Sequence, residues 1–300
     1  MRALQYSSYG GPEVLTVGAA PEPHAGPGQV RVAVRAASVN PIDWKLRAGY
    51  MGQGKALEGV AYVGADAAGV VDEVGDGVTG VAVGDDVFGL GQGTNAEFAV
   101  LNSWATKPSS VDWAVAAAAG VSAETAIRAF GLLGVGRSST VFIDGGAGGV
   151  GAVAVQIAIA RGATVIASAS EGNQGYLREI KAIPVVYGEG LIDRVRAAAP
   201  HGLDAVFDVA GKTPIDDLVS LAPQPAQVVT IANFNLGESG ARVTTGGGEG
   251  EPQAALAEAA ELLQQDKVVI KVQTFPLDRA AEAHEISQTG HIRGKLVLTP

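Results

Sequence analysis

Short apolar runs that alternate with polar positions occupy the chain from residue 1 to about 110. VRVAVRAASV at 30–39, AAGVVDEVG at 67–75 and DDVFGL at 85–90 are separated by Gly, Pro and Asp turns. Period-two alternation between turn residues predicts strands, and no long helical period interrupts them, so this region reads as all-β. Near residue 112 the pattern changes. WAVAAAAGVSAETAIRAFGLLG (113–134) predicts a helix, TVFID (140–144) a strand, Val150 to Arg161 a helix and ATVIASAS (163–170) a strand. A helix around YLREIKA, the strand PVVY, then LIDRVRAAA, DAVFDV, PIDDLVSLA and QVVTIAN continue the series to residue 233. Strand and helix in strict turn imply a parallel, doubly wound sheet with right-handed crossovers. After residue 250 come a helix, PQAALAEAAELLQQ, the segments KVVIKVQTFPL and DRAAEAHEISQTG, and a closing strand GKLVLTP. TTGGGEGEP at 244–252 reads as a surface loop.

Composition narrows the function classes. With 300 residues, 47% of them hydrophobic, the chain is long enough for two domains. It has no cysteine, which excludes disulfides, a thiolate nucleophile and cysteine-bound zinc. Acidic residues outnumber basic ones 31 to 21, for a formal charge of −10, which opposes nucleic acid and anionic membranes as partners. The stretch MRALQYSSYGGPE lacks the apolar core of a secretory signal, and no unbroken run of about 18 apolar residues follows, so the expected location is cytoplasmic.

Within the alternating region, GGAGGVG at 145–151 follows the strand TVFID and opens a helix. Gly146, Gly148 and Gly151 stand in G-x-G-x-x-G spacing, with Ala147, Gly149 and Val150 between them. In a strand-turn-helix context this spacing predicts a dinucleotide site. Gly146 is expected to permit the tight turn, Gly148 to let the backbone approach a pyrophosphate, and Gly151 to let helix and strand close up. Free N–H groups at the helix start then meet the phosphate charge. About 20 residues on, where NAD sites carry an acidic residue, the strand ends in Ser168 and Ser170, small hydroxyls that tolerate a 2′-phosphate. That favours NADPH. Glu171, one step further, has two readings, a ribose ligand for NAD or an acidic residue in the first turn of the next helix, capped by Ser170.

VNPIDWKLRAG, VGADAAGVVDEVGDGVTGVAVGDDVFGL, GTNAEFAV, AAAAGVSAETAIRAF, GGAGGVGAVAVQIA and GKLVLTP, in this order and spacing, resemble the zinc-independent, zeta-crystallin-like quinone oxidoreductases of the medium-chain dehydrogenase/reductase superfamily. The resemblance implies an α/β protein: a GroES-like β-barrel catalytic domain in residues 1–115, a Rossmann NADP-binding domain in 116–248, and a return to the catalytic domain in 249–300. It implies hydride transfer from NADPH to a small-molecule quinone or α,β-unsaturated carbonyl, by a homodimer. Zinc-dependent members carry Gly-His-Glu where this chain has Gly64, Ala65 and Asp66, and the four histidines, His24, His201, His284 and His291, are scattered. No catalytic metal is therefore expected. His284 reads as a surface or boundary residue and a poor acid or base.

Hydride transfer asks the protein chiefly to align donor and acceptor and to donate hydrogen bonds to the carbonyl oxygen as charge grows there. The resemblance places Asn40 close to nicotinamide and substrate and Thr125 beside the nicotinamide ribose or carboxamide. Asp43, Tyr50 and Tyr62 are weaker candidates; Tyr50 or Tyr62 could donate a hydrogen bond, against the alternative of a packing role. The resemblance brings Tyr187 near the adenosine phosphate, Ala210, Gly211 and Ile231 to Asn233 along the cofactor, and Lys295 toward it from the returning segment, against the alternative of a solvated lysine. Two other readings remain open, an enoyl-thioester reductase of biosynthetic type and a non-catalytic NADPH-binding protein.

Overall fold

In a computed structural model, which describes every residue except Gln53, Gly247, Gly248 and His291, the first alternating runs are strands. They are β1 (Arg2–Tyr6), β2 (Thr16–Ala19), β3 (Val30–Val39), β4 (Ala61–Tyr62), β5 (Asp66–Val74), β6 (Asp86–Gly91) and β7 (Phe98–Thr106). One short helix, α1 (Pro41–Arg47), breaks the series. Pro41 presets its first helical φ, and the Asp43 carboxylate accepts the Asn40 N–H at 2.7 Å, closing the first turn. Seven residues are too few for a helical period to show in the pattern.

Alternation then takes over with α2 (Trp113–Leu133), β8 (Thr140–Asp144), α3 (Gly149–Ala160), β9 (Thr164–Ala169), α4 (Gln174–Glu179), β10 (Ile183–Val186) and α5 (Leu191–Ala198). It continues through β11 (Ala205–Asp208), α6 (Ile215–Val219), β12 (Val228–Thr230) and β13 (Arg242–Val243), before α7 (Pro252–Gln264), β14 (Val272–Pro276), α8 (Ala280–Gln288) and β15 (Lys295–Thr299).

The chain divides into two units. One comprises Met1–Val121, Pro252–Gln264 and Ile270–Pro300, the other Ser122–Glu251 and Gln265–Val269. In the first, a sheet runs β14-β15-β3-β5-β6-β7, and β3 also pairs with β7, so that β3, β5, β6 and β7 close on themselves as a barrel. Register shifts in β3 at Arg31/Val32 and Val34/Ala36 supply the bend. Val30, Val32, Val34, Val71, Val87 and Leu101 fill the interior, the inward half of the alternation.

In the second unit the sheet order is β10-β9-β8-β11-β12-β13, with every pairing parallel. The chain starts in the middle at β8, winds outward through β9 and β10, and returns to the other side through β11. The reversal between β8 and β11 is the switch point where such sheets bind ligands beyond their strand ends. Helix α2 is long and apolar enough to cross a membrane by length and composition, but 72% of its most apolar stretch is buried inside the protein, as a core helix must be.

Candidate functional site

The turn after β8 is made by Gly145, whose φ of 92° lies in the left-handed region. Gly146, expected to make that turn, is needed for packing instead, since a Cβ there would stand 2.6 Å from the Ala167 Cβ. Gly151 packs as expected: its Cβ would lie 2.1 Å from the Gly145 carbonyl oxygen. Gly148 differs from both. With φ at −75°, its Cβ would meet only the Gly145 oxygen, at an ordinary 3.6 Å. Nothing in the folded chain demands glycine there. Gly148 caps α3, whose first N–H groups, on Gly149, Val150 and Gly151, have no preceding helical carbonyl to bond. Donors, dipole and missing side chains together form a cradle for an anionic group.

Ser168 holds this turn from β9. Its hydroxyl accepts the Gly145 N–H at 2.9 Å and donates to Asp144, while its carbonyl accepts the Gly146 N–H at 2.8 Å. It is buried, so the expectation that its hydroxyl makes room for a 2′-phosphate is corrected: that oxygen is spent inside the protein. Ser170, half-buried at the strand end, makes no capping hydrogen bond to the short turn Glu171–Asn173 that follows. Half-exposed Tyr187 adjoins it, with its N–H on the Ala169 carbonyl at 3.2 Å. Asp208, at the end of β11, accepts the Ala210 and Gly211 N–H groups at 3.0 and 2.7 Å and the Thr230 hydroxyl at 2.7 Å. Burial pushes its carboxyl pKa up, against these hydrogen bonds. Ile231 donates to the Asp208 carbonyl at 3.1 Å and Asn233 to the Thr230 hydroxyl at 3.0 Å. The residues expected along a dinucleotide thus gather at the C-terminal edge of one parallel sheet.

In the first unit, Asn40 ends β3 in a buried polar cluster with Ser38, Asp43, Asp66 and Lys295. Its Nδ2 donates to Ser38 Oγ at 3.1 Å and to Asp66 Oδ1 at 2.9 Å, and its Oδ1 accepts from Lys295 Nζ. Lysine only donates and carboxylate only accepts, so the carboxamide orientation is unambiguous. Asp66 also accepts the Ser38 hydroxyl at 2.6 Å and the Val121 N–H at 2.7 Å. Burial raises the Asp43 carboxyl to about 7, with Asp66 adding to the rise. Burial lowers the Lys295 ammonium, opposed by the attraction of Asp66 and Asp43. Two sequence readings change. Lys295 is not a solvated lysine, and the Asn40 Nδ2, expected to face substrate or nicotinamide, is bonded within the protein to Ser38 and Asp66.

Residues 26–127 match the family model of the alcohol dehydrogenase GroES-like domain, and residues 185–298 that of the zinc-binding dehydrogenases. The quinone oxidoreductase of Rattus norvegicus is 30% identical over 99% of this chain and 97% of its own length. The chain belongs to the quinone oxidoreductase family of medium-chain dehydrogenases/reductases. Among solved structures, the quinone oxidoreductase of Coxiella burnetii matches with a TM-score of 0.84 at 28% identity, covering 100% of this chain and 99% of that one. A mycobacterial protein solved in complex with NADPH matches with a TM-score of 0.86 at 27% identity, covering 100% of both chains. The barrel is the family's GroES-like fold and the doubly wound sheet its Rossmann fold, as the motifs implied.

The remaining candidates of this family member fall in different settings. Thr125 is buried on α2, with the Arg128 guanidinium 3.5 Å from its hydroxyl. Arg128 pairs with Glu124 through contacts of 2.7 and 3.2 Å and donates to Thr244, which in turn bonds Glu249. The only sequence signal for this network was the Glu124/Arg128 spacing of one helical turn. The described residues of 244–251 form the surface loop that was expected, with Thr244 at its start buried in this network; Gly247 and Gly248 lie outside the described residues. Tyr50 is 71% exposed, edge-on to Trp44 at 5.9 Å. His284 is the clearest reversal. Expected at the surface or its boundary, it is fully buried, with Nδ1 3.1 Å from the Arg47 guanidinium. Burial first, then the Arg47 charge, pushes it down to about 3, so the imidazole is neutral and accepts from Arg47. His291 lies outside the described residues.

Proposed function

We propose that this oxidoreductase reduces a quinone or an α,β-unsaturated carbonyl with NADPH and without zinc. The observation that carries the reading is Gly148, a glycine the fold does not need, at a helix N-terminus where a Cβ would fill the space a pyrophosphate takes. The cofactor's residues fit as a set. The α3 N–H groups would hold the phosphates, Ser170 and Tyr187 at the ends of β9 and β10 would meet the adenosine phosphate, and the loops after β11 and β12 are held in place by Asp208 and Thr230. When bound, NADPH supplies the hydride. The solved mycobacterial relative in complex with NADPH supports this assignment.

The donor set supports a zinc-free reaction. The chain has no cysteine, and among the described residues no group of three His, Cys, Asp or Glu is placed to hold a metal. Asp66, standing where zinc-dependent members carry glutamate, is occupied by Ser38, Asn40 and the Val121 N–H. The chain's own residues then have to orient the acceptor and stabilise charge at its oxygen.

The test is NADPH oxidation with a panel of benzoquinone, naphthoquinone, cyclohexenone and a saturated aldehyde, with and without EDTA. Reduction of a quinone or the enone, unchanged by chelator, is expected. Activity that EDTA removes and zinc restores overturns the metal-free part. Failure to oxidise NADPH with any acceptor overturns the reading itself.

A further inference from the structure

We propose that Lys295 is the donor that binds the oxygen of the acceptor's carbonyl, its direction set by Asn40; this rests on the reading above that a carbonyl compound is the substrate.

Lys295 reaches its place by sheet register. In the antiparallel pairing of β15 with β3, Leu296 lies opposite Val39, so Lys295 comes level with Asn40, 255 residues away in sequence. Gly294 before it is locked, with φ at 86° and a Cβ position 2.1 Å from the Lys271 carbonyl oxygen, so the strand cannot slip there without a clash. An ammonium carries three N–H donors. Among the described residues, the Lys295 ammonium has one hydrogen-bond acceptor, Asn40 Oδ1. None of these residues takes its other two donors, in a buried site where an unmet donor is costly and a ligand oxygen is strongly attracted. The Asn40 Nδ2, by contrast, is held by Ser38 and Asp66. Asn40 acts as a bracket, accepting a hydrogen bond from Lys295 at Oδ1 and held through Nδ2 by Asp66. Burial lowers the pKa of this ammonium, and the attraction of Asp66 and Asp43 opposes that fall. A hydride arriving at a conjugated carbonyl drives negative charge onto its oxygen, and a buried, fixed cation meets that charge with little reorganisation.

The binding test uses 4-nitrophenol, which resembles a hydroquinone monoanion and turns yellow as the phenolate, with the NADP⁺-bound protein at a pH below the dye's own pKa. Wild type is expected to bind it as phenolate. Lys295→Arg keeps the yellow band. Lys295→Gln, which retains a donor to Asn40 without charge, binds the neutral phenol about tenfold or more weakly. Asn40→Leu, which loosens the ammonium without removing it, keeps the band with about tenfold weaker binding. Failure of wild type to bind the dye, or a phenolate spectrum in Lys295→Gln, overturns the proposal; unchanged affinity in Asn40→Leu overturns the bracket. In turnover, Lys295→Gln should lose about 100-fold in kcat/KM with NADPH affinity within about threefold. Loss of NADPH affinity instead puts Lys295 on the cofactor and overturns it as a substrate group. Phenolate binding by a wild type that reduces no acceptor leaves the oxygen site standing and removes the proposed function.

Discussion

Gly148 and Gly151 sit three residues apart and answer substitution in opposite ways. A Cβ at Gly148 makes only an ordinary contact with the Gly145 oxygen at an unstrained φ, so Gly148→Val should cost the apo protein only about 1 kcal/mol of helix capping. NADPH binding by isothermal calorimetry should fall by about 100-fold or more, because the branch occupies the phosphate cradle. A side chain at Gly151 strikes a backbone carbonyl that has nowhere to go. Gly151→Val should therefore destabilise the protein by about 2–4 kcal/mol in urea with no cofactor present. Wild-type affinity in Gly148→Val would make the whole turn structural. The spacing of these glycines is plain in the sequence, but their division of labour is not, because it depends on what Ala167 and Gly145 bring close from outside the motif.

At the scale of elements, α1 and α8 meet through Arg47 and His284. His284 stays neutral in the fold down to about 3, from an ordinary 6.5, whereas the unfolded chain protonates it below that ordinary value. The unfolded state then binds the extra proton between those limits, so this group makes stability fall as pH drops below 6.5, by up to about 1.4 kcal/mol per pH unit. Asp43, raised from 3.8 to about 7, acts with the opposite sign: the folded state holds the extra proton, and stability is lost as pH rises through that window. In the wild type the two slopes offset one another between about pH 4 and 6.5. His284→Gln, which keeps an acceptor for Arg47, exposes the Asp43 slope. Relative to wild type, the variant should gain stability progressively as pH falls from 6.5, measured by urea unfolding at several pH values. A difference that does not vary with pH would mean that His284 takes up its proton in the fold over the same pH range as in the unfolded chain.

Over the whole molecule, the chain passes between its two units at 121/122, 251/252, 264/265 and 269/270, and the second unit holds the cofactor cradle. A ligand bound only to folded protein stabilises it by mass action, about 2.7 kcal/mol at a hundredfold excess over Kd. NADPH should raise the unfolding midpoint of wild type and leave Gly148→Val unmoved. NADH at equal concentration should do less, its affinity being about tenfold lower, or 1.4 kcal/mol. That preference is argued from Ser170 and Tyr187 at the strand ends, with Glu171 exposed beyond them. Equal shifts from the two cofactors would assign Glu171 to the ribose.

The sequence by itself determined the element types of the alternating region, the parallel sheet, and the place of the glycine turn, because period, turn chemistry and helix starts are written within a few residues of one another. It also carried the family, through six motifs in order. Only the tertiary structure decided which groups are free to act. Asn40 looked like a donor to the ligand until register brought Lys295 onto its oxygen and Ser38 and Asp66 onto its nitrogen. Ser168 looked like a phosphate neighbour until the turn of β8 drew its hydroxyl inward. His284, in a helix of ordinary polar pattern, was buried by the arrival of Arg47 from the other end of the chain. In each case a hydrogen-bonding group has its capacity fixed by residue type, but which partners use that capacity depends on strands and helices paired across hundreds of residues, and no local period encodes that pairing.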